Sequence, residues 1–112
     1  MTVFEKIAAR EIPANIIMET DDIVAFHDAN AQAPVHALVV PRRPIPRIDA
    51  AEDSDAELLG HLLLAGREVA EKLGIAKSGY RLVLNNGSDA GESVPHLHLH
   101  VLGGRRLLWP PG

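Results

Sequence analysis

The chain has 112 residues, 46% of them hydrophobic and 23% charged, and carries a net charge of −4. That length suits one domain with a single core, and the acidic balance argues against duplex nucleic acid as the main partner, because phosphate neutralisation needs a basic face. Without cysteine there is no disulfide framework or thiolate metal site; no apolar run approaches the roughly eighteen residues of a membrane span, and Glu5 and Lys6 come too early for a signal peptide, so the cytoplasm is the expected location.

Thr2 followed by Glu5 three residues later is a capping box, and Val3, Phe4 and Ile7 share one helical side, so a short helix is expected from Val3 to about Arg10. Pro13 disfavours helix at Ile12. The runs Ile16–Met18 and Ile23–Phe26 flank the polar turn Thr20-Asp21-Asp22 and read as a hairpin. Asp28 follows as a turn-capping carboxylate at the head of the Ala29–Pro34 loop. Val35–Val40 is a third strand, with His36 early among aliphatics, and Pro44 and Pro46 make Arg42–Ile48 an irregular connection. Its Arg42, Arg43 and Arg47 suit a solvated face or an anion guide equally.

Ser54 and Glu57 form a second capping box for the longest helix, which runs to Leu73 and stops at Gly74. Its apolar residues Leu58, Leu59, Leu62, Leu63, Ala65, Gly66, Val69, Ala70 and Leu73 span roughly 160°, wider than one sheet contact needs. Gly66 near the centre marks close approach of another backbone, and His61 falls outside the arc. Gly79–Asn85 is a fourth strand with one polar face, and the loop Asn86–Ser93 offers backbone N–H groups and small hydroxyls to a ligand oxygen.

In Pro95–Gly104, His96, His98 and His100 alternate with Leu97, Leu99 and Val101. A strand over this stretch puts the three imidazoles on one face, about 6.6–6.8 Å apart per step, with the aliphatics toward the core. A zinc site can use two of them, but His96 and His100 lie about 13 Å apart along a strand, too far for a common metal at about 2.0–2.1 Å. A nucleophile with two supporting neighbours uses all three, and a neutral imidazole, with its ordinary pKa near 6.5, is nucleophilic at pH 7.

His96-Leu97-His98-Leu99-His100-Val101-Leu102 resembles the signature of the histidine triad (HIT) superfamily, and Ser93 with Gly103-Gly104-Arg105 resembles its Hint branch of nucleotide-binding phosphoramidases. The likeness extends through Glu11–Ala14, Phe26-His27-Asp28, Gln32–His36, Leu58–Leu62, Asn85, Gly87-Ser88-Asp89 and Trp109–Gly112. It implies one HIT domain over 1–112: an α+β fold with a five-stranded antiparallel sheet and one short and one long helix, dimerising into a ten-stranded sheet. The activity implied is hydrolysis of the P–N bond of purine nucleoside 5′-phosphoramidates, and of aminoacyl-adenylates, through a nucleotidyl-histidine, with AMP or GMP as ligands and no metal or other cofactor.

By position the resemblance makes His98 the nucleophile, with His100 and His36 for phosphate contact and proton relay, and His96 as structural support. Ser93 meets the phosphate or leaving nitrogen, Asn85 the phosphate, Asp28 the ribose, and Val3, Phe4, Ile7, Phe26, His27 and Ala29 wall the base. Gly91, Glu92 and Val94 complete the nucleotide site, and Trp109 shapes the leaving-group pocket of a neighbouring subunit. Three positions depart from the pattern: Glu92 where glutamine is common, Pro95 where an aromatic is common, and Ala29 in place of a larger aliphatic. The rival readings are a dinucleoside-polyphosphate hydrolase, a non-catalytic nucleotide-binding module, and a zinc hydrolase using His96 and His98 with Glu92 or Asp28.

Overall fold

The computed structural model describes residues 1–112. Helix α1 (Val3–Ala8) is followed by strands β1 (Ile16–Glu19), β2 (Ile23–His27) and β3 (Val35–Pro41), helix α2 (Ala56–Lys72), and strands β4 (Tyr80–Val83) and β5 (Leu99–Gly103). The five strands form one sheet in the order β1-β2-β3-β5-β4, every neighbouring pair antiparallel. This is the expected α+β architecture. No helix is long and apolar enough to cross a membrane.

Alternation in the central strands sorts side chains into two layers. Ile23, Ala25, Ala37, Val39, Leu99 and Val101 join Leu62, Ala65, Val69 and Ala70 of α2 in the main core. Val24, Phe26, Leu38 and Val40 face the other way and meet Phe4 and Ile7 of α1 in a second cluster. His36 and His100 have the parity of that second face.

The capping box at α1 forms as expected: Thr2 Oγ1 accepts from the Glu5 N–H at 3.1 Å, and Glu5 Oε1 accepts from the Thr2 N–H at 3.0 Å. The helix is shorter than expected, and Arg10 turns left-handed with φ 59°. At α2 the expected Ser54/Glu57 box is replaced by a Glu52/Asp55 box, two residues earlier. A 3-10 turn over Asp53–Asp55 precedes the helix, the Asp55 carboxylate accepts from the Glu52 N–H at 2.9 Å and pairs with Arg43, and Ser54 caps nothing. The buried Asp55 takes the role because Arg43 of the preceding connection reaches it.

The apolar arc of α2 is narrower in practice. Leu62, Ala65, Gly66, Val69 and Ala70 are buried, whereas Leu63 is 48% exposed and Leu64 51%. A Cβ on Gly66 would meet Leu99 Cδ2 at 2.8 Å and Leu82 Cδ2 at 3.4 Å. The close approach read from Gly66 is therefore to side chains of its own sheet rather than to a backbone. His61 is on the exposed side, paired with Asp22 at 2.6 Å. Strand β4 has no clean polar face, since Leu82 at the sheet edge is 37% exposed.

The largest difference concerns the histidine stretch. Ladder pairing begins at Leu99, so His96 and His98 precede the strand. Pro95 has no N–H to give, the His96 N–H goes to Val94 O at 2.8 Å, and the Leu97 N–H goes to Ile45 O at 2.7 Å. These local bonds hold residues 95–98 against the proline-rich connection instead of against β3.

Candidate active site

Phe4 organises the imidazoles from above. Its ring centroid lies 5.9 Å from that of His96 and 4.9 Å from that of His98, and the His98 and His100 centroids are 5.1 Å apart. The expected sharing of one side by the three histidines thus holds although only His100 lies in the strand.

Each ring has a tautomer dictated by its partners, because a carbonyl oxygen only accepts and a backbone N–H only donates. His96, fully buried, donates from Nε2 to Pro41 O at 2.7 Å and accepts at Nδ1 from the Thr2 hydroxyl at 2.8 Å. Both nitrogens are engaged, which removes His96 as a zinc ligand and makes it a brace between α1 and β3. Burial pushes its pKa down, partly opposed by the Pro41 bond. His98 donates from Nδ1 to His96 O at 2.7 Å. In the neutral ring the lone pair is then on Nε2, the atom suited to attack.

His36 accepts at Nδ1 from the Gln32 N–H at 3.0 Å, so its proton sits on Nε2, 2.9 Å from His100 Nδ1 and 3.3 Å from Asp28 Oδ2. His100, accepting at Nδ1, carries its proton on Nε2, which is buried with no partner in the chain. An unmet buried donor costs about 1–3 kcal/mol, and an anionic oxygen is the natural group to satisfy it. Burial pushes the His36 pKa down, partly offset by Asp28. Burial, followed by the neighbouring His98 and His36, pushes His100 down to about 4. Both are neutral at pH 7.

Beside these rings lies a cleft of about 460 Å³ lined by Val3, Phe4, Ile7, Pro13, Ala14, Asn15, Phe26, His27, Asp28, Ala29 and Leu38. It brings together all seven residues expected around the base and ribose. Asp28 also caps its loop, accepting from the Asn30 N–H at 2.9 Å. Pro13, Ala14, Asn15 and Leu38 were not among the residues singled out for the site. The signal for Asn15 is backbone geometry, its carbonyl accepting from the His27 N–H at 3.0 Å, and for Leu38 it is strand parity with His36. Thr2 and Gln32 were likewise missed, since their contacts with His96 and His36 are set by folding.

On the other side of the rings, Gly91 is left-handed with φ 79°, Ser93 is exposed, Asn85 is half-buried and Val94 packs against the Phe4 cluster. Glu92 is held by Arg47 through two bonds of 2.8 Å. Trp109 is 79% exposed in the single chain, its ring 5.9 Å from the Arg81 guanidinium, and does not line this cleft. The three side chains that could share a cation are Asp28, His36 and His100, whose ligand atoms lie within 4.8 Å of one another. That set differs from the His96 and His98 pair considered from sequence.

A model of the HIT domain matches residues 9–107. The chain is 56% identical over 111 residues, 99% of its own length and 96% of the other's, to an uncharacterised HIT-like protein of Synechocystis sp.. Its structure resembles a HIT family hydrolase from Legionella pneumophila, with TM-score 0.97, 45% identity and full coverage of both chains. A histidine triad nucleotide-binding protein from Candida albicans gives TM-score 0.83 and 25% identity, over 98% of this chain and 83% of that one. With the triad geometry and a family match over nearly its whole length, this chain belongs to the HIT family.

Proposed function

We propose that this chain is a Hint-type nucleotide hydrolase. It binds a purine nucleoside 5′-phosphate, AMP or GMP, in the α1 cleft and, through a nucleotide bound to His98, cleaves the P–N bond of nucleoside phosphoramidates and, as a second substrate class, the acyl P–O bond of aminoacyl-adenylates, whose carboxylate leaves without needing a proton. The observation that carries this reading is the pairing of a free lone pair on His98 Nε2 with an unmet N–H on His100 Nε2, in rings 5.1 Å apart beside the apolar cleft. One atom serves attack and the other a phosphate oxygen. The hydrolase and nucleotide-binding proteins that share the fold support it.

In the first step the P–Nε2 bond forms as the P–N bond to the leaving group breaks. The leaving nitrogen departs with the bonding pair and takes a proton from water relayed by the Ser93 hydroxyl. In the second step the water-derived hydroxide attacks phosphorus and releases His98 as a neutral imidazole. One water is consumed, its proton on the amine and its hydroxyl on phosphorus. His36 keeps His100 in the donating tautomer throughout, and the His100 N–H is already aimed when charge develops on the phosphoryl oxygen. Asp28 accepts from the ribose, and Asn85 adds a phosphate donor.

The active unit in this reading is a cytoplasmic homodimer. Strand β4 is a free edge, Leu82 reaches the Gly66 position of α2, and Arg81 holds the Leu108 carbonyl at 3.0 Å, which links α2, β4 and the tail on one side. The exposed Leu63, Leu108 and Trp109 belong to that side, and burial against a second copy removes a free edge that otherwise invites unspecific pairing. The deciding experiment is incubation with an adenosine phosphoramidate, quench in alkaline denaturant, where a P–N bond to imidazole survives, and peptide mass mapping at neutral to basic pH. An AMP adduct on His98, formed equally with chelator present, is expected; turnover without any adduct, or chelator-sensitive turnover, overturns the mechanism.

A further inference from the structure

All three arginines of the proline-rich connection are spoken for. Arg42 pairs with Glu19 at 3.1 Å, Arg43 with Asp55, and Arg47 with Glu92. The last pair differs from the others in where it lies. Arg47 donates from Nε to Glu92 Oε1 and from Nη2 to Oε2, both at 2.8 Å, the two-pronged geometry that fixes a guanidinium most firmly. The same carboxylate accepts from the Gly87 N–H at 3.2 Å, while the Glu92 N–H returns to Gly87 O at 3.1 Å, closing the loop on itself. The Glu92 side chain is 13% exposed.

This closed loop leads directly into Ser93, and two further bonds tie its surroundings to the Arg47 segment: Leu97 N–H to Ile45 O at 2.7 Å and Ile48 N–H to Asn86 Oδ1 at 2.8 Å. The pair therefore stands at the phosphate end of the site, where the Arg47 guanidinium and the Gly87 N–H hold the Glu92 carboxyl down at about 2. No lysine or arginine lines the cleft on the other side of the rings. Neutral His36, His96 and His100 add no charge there. Arg47 is thus the one cation braced against the loop that ends at Ser93, and Glu92 occupies it.

We infer that Glu92 is a specificity-determining residue: by engaging both prongs of Arg47 it withholds the guanidinium from ligands, so the site favours a nucleotide with a single phosphate over one with a phosphate chain. The inference rests on the nucleotide reading above. A nucleoside diphosphate brings additional negative charge beyond the phosphorus that His98 addresses. With Arg47 cancelled, that charge meets only neutral donors and loses hydration without an ionic partner. A monophosphate, satisfied by the His100 N–H and the loop donors, makes no such demand. A glutamine at 92 keeps the shape and an oxygen for the Gly87 N–H but cannot cancel Arg47, whose fork is then free for a second phosphate.

The test is calorimetric titration of AMP and ADP into the wild-type protein, E92Q and the double variant E92Q/R47M, at low and high salt. Amide fingerprint spectra establish that each variant is folded. The expected result is that E92Q improves ADP affinity relative to AMP by about five- to tenfold, the size of one charge-assisted contact at a partly screened site. The gain should shrink in high salt and vanish in E92Q/R47M. The unmodified protein gives an arm free of substitutions: its ADP affinity should change little with salt. An unchanged ADP to AMP ratio in E92Q, with AMP still bound, overturns this inference alone, as does wild-type ADP affinity that falls steeply with salt. Wild-type protein that binds neither nucleotide overturns the nucleotide reading together with it.

Discussion

His36 Nε2 and His100 Nδ1 are 2.9 Å apart, and because the Gln32 N–H occupies His36 Nδ1, the proton between them belongs to His36. A backbone amide in a loop therefore decides, through His36, which nitrogen of His100 is left carrying a proton. Protonating His100 at Nδ1 would set two N–H groups against each other across this contact.

The pH dependence follows with a definite sign. The folded-state pKa of His100 lies near 4, below its ordinary value of 6.5, and those of His36 and His96 are also lowered. The unfolded chain binds more protons in this window, so stability is fully present above about pH 6.5 and falls as pH drops toward 4, His100 alone contributing up to about 3 kcal/mol. Urea unfolding midpoints between pH 7 and pH 4 should fall accordingly. A flat profile would show that the rings are not held neutral.

His98→Ala and His98→Asn should both fold, bind AMP and form no adduct, since neither supplies a nucleophilic nitrogen. Turnover of a phosphoramidate by His98→Ala at near the wild-type rate would eliminate the proposed chemistry.

His96→Ala should act on stability first. Its ring is fully buried and joins the Thr2 hydroxyl to the Pro41 carbonyl, so truncation leaves a cavity and two unmet polar groups, about 3–5 kcal/mol in all. Denaturant unfolding should show that loss, and any loss of adduct formation should recover at low temperature where the variant is folded. A variant as stable as wild type would refute the bracing role.

Gly103→Ala should destabilise by about 1–3 kcal/mol. Its Cβ would stand 2.7 Å from Ile75 Cδ1 and 3.3 Å from Ile75 Cβ, and the latter sits on the backbone and has little room to yield. Gly60→Ala, with nothing within 4 Å, should stabilise slightly by its helix propensity. Thermal melts of the two variants moving in the same direction would contradict this packing.

Removal of Leu108–Gly112 should leave AMP affinity nearly intact while changing the ranking of phosphoramidates by leaving group. Trp109 is exposed and outside the cleft in the single chain, so the effect requires a partner subunit. Sedimentation velocity at micromolar concentration should show a dimer for the full chain; a monomer, or an unchanged ranking, would remove the tail from the active site.

Local rules written in the residues settled much of this protein. The Thr2/Glu5 box, the alternation of β2 and β3, the sheet-facing stripe of α2 and the repeated histidines each depend on neighbours within a few positions, and the fold class follows from them. The motif also marked His98 and His100 and, through the family likeness, the seven cleft residues on α1, β2 and the following loop. Tertiary structure decided the rest because it depends on groups far apart in the chain. Arg43 holds the Asp55 carboxylate that closes the 3-10 turn leading into α2, Ile45 drew Leu97 out of the ladder and shortened β5, and Thr2 and Pro41 fixed the tautomer of His96. Arg47 turned Glu92 from a lone negative charge into a cancelled pair. Each of these is a hydrogen bond or ion pair whose partner no local pattern encodes, and together they determine which ring nitrogens carry a proton, which keep a free lone pair, and how much charge stands beside Ser93.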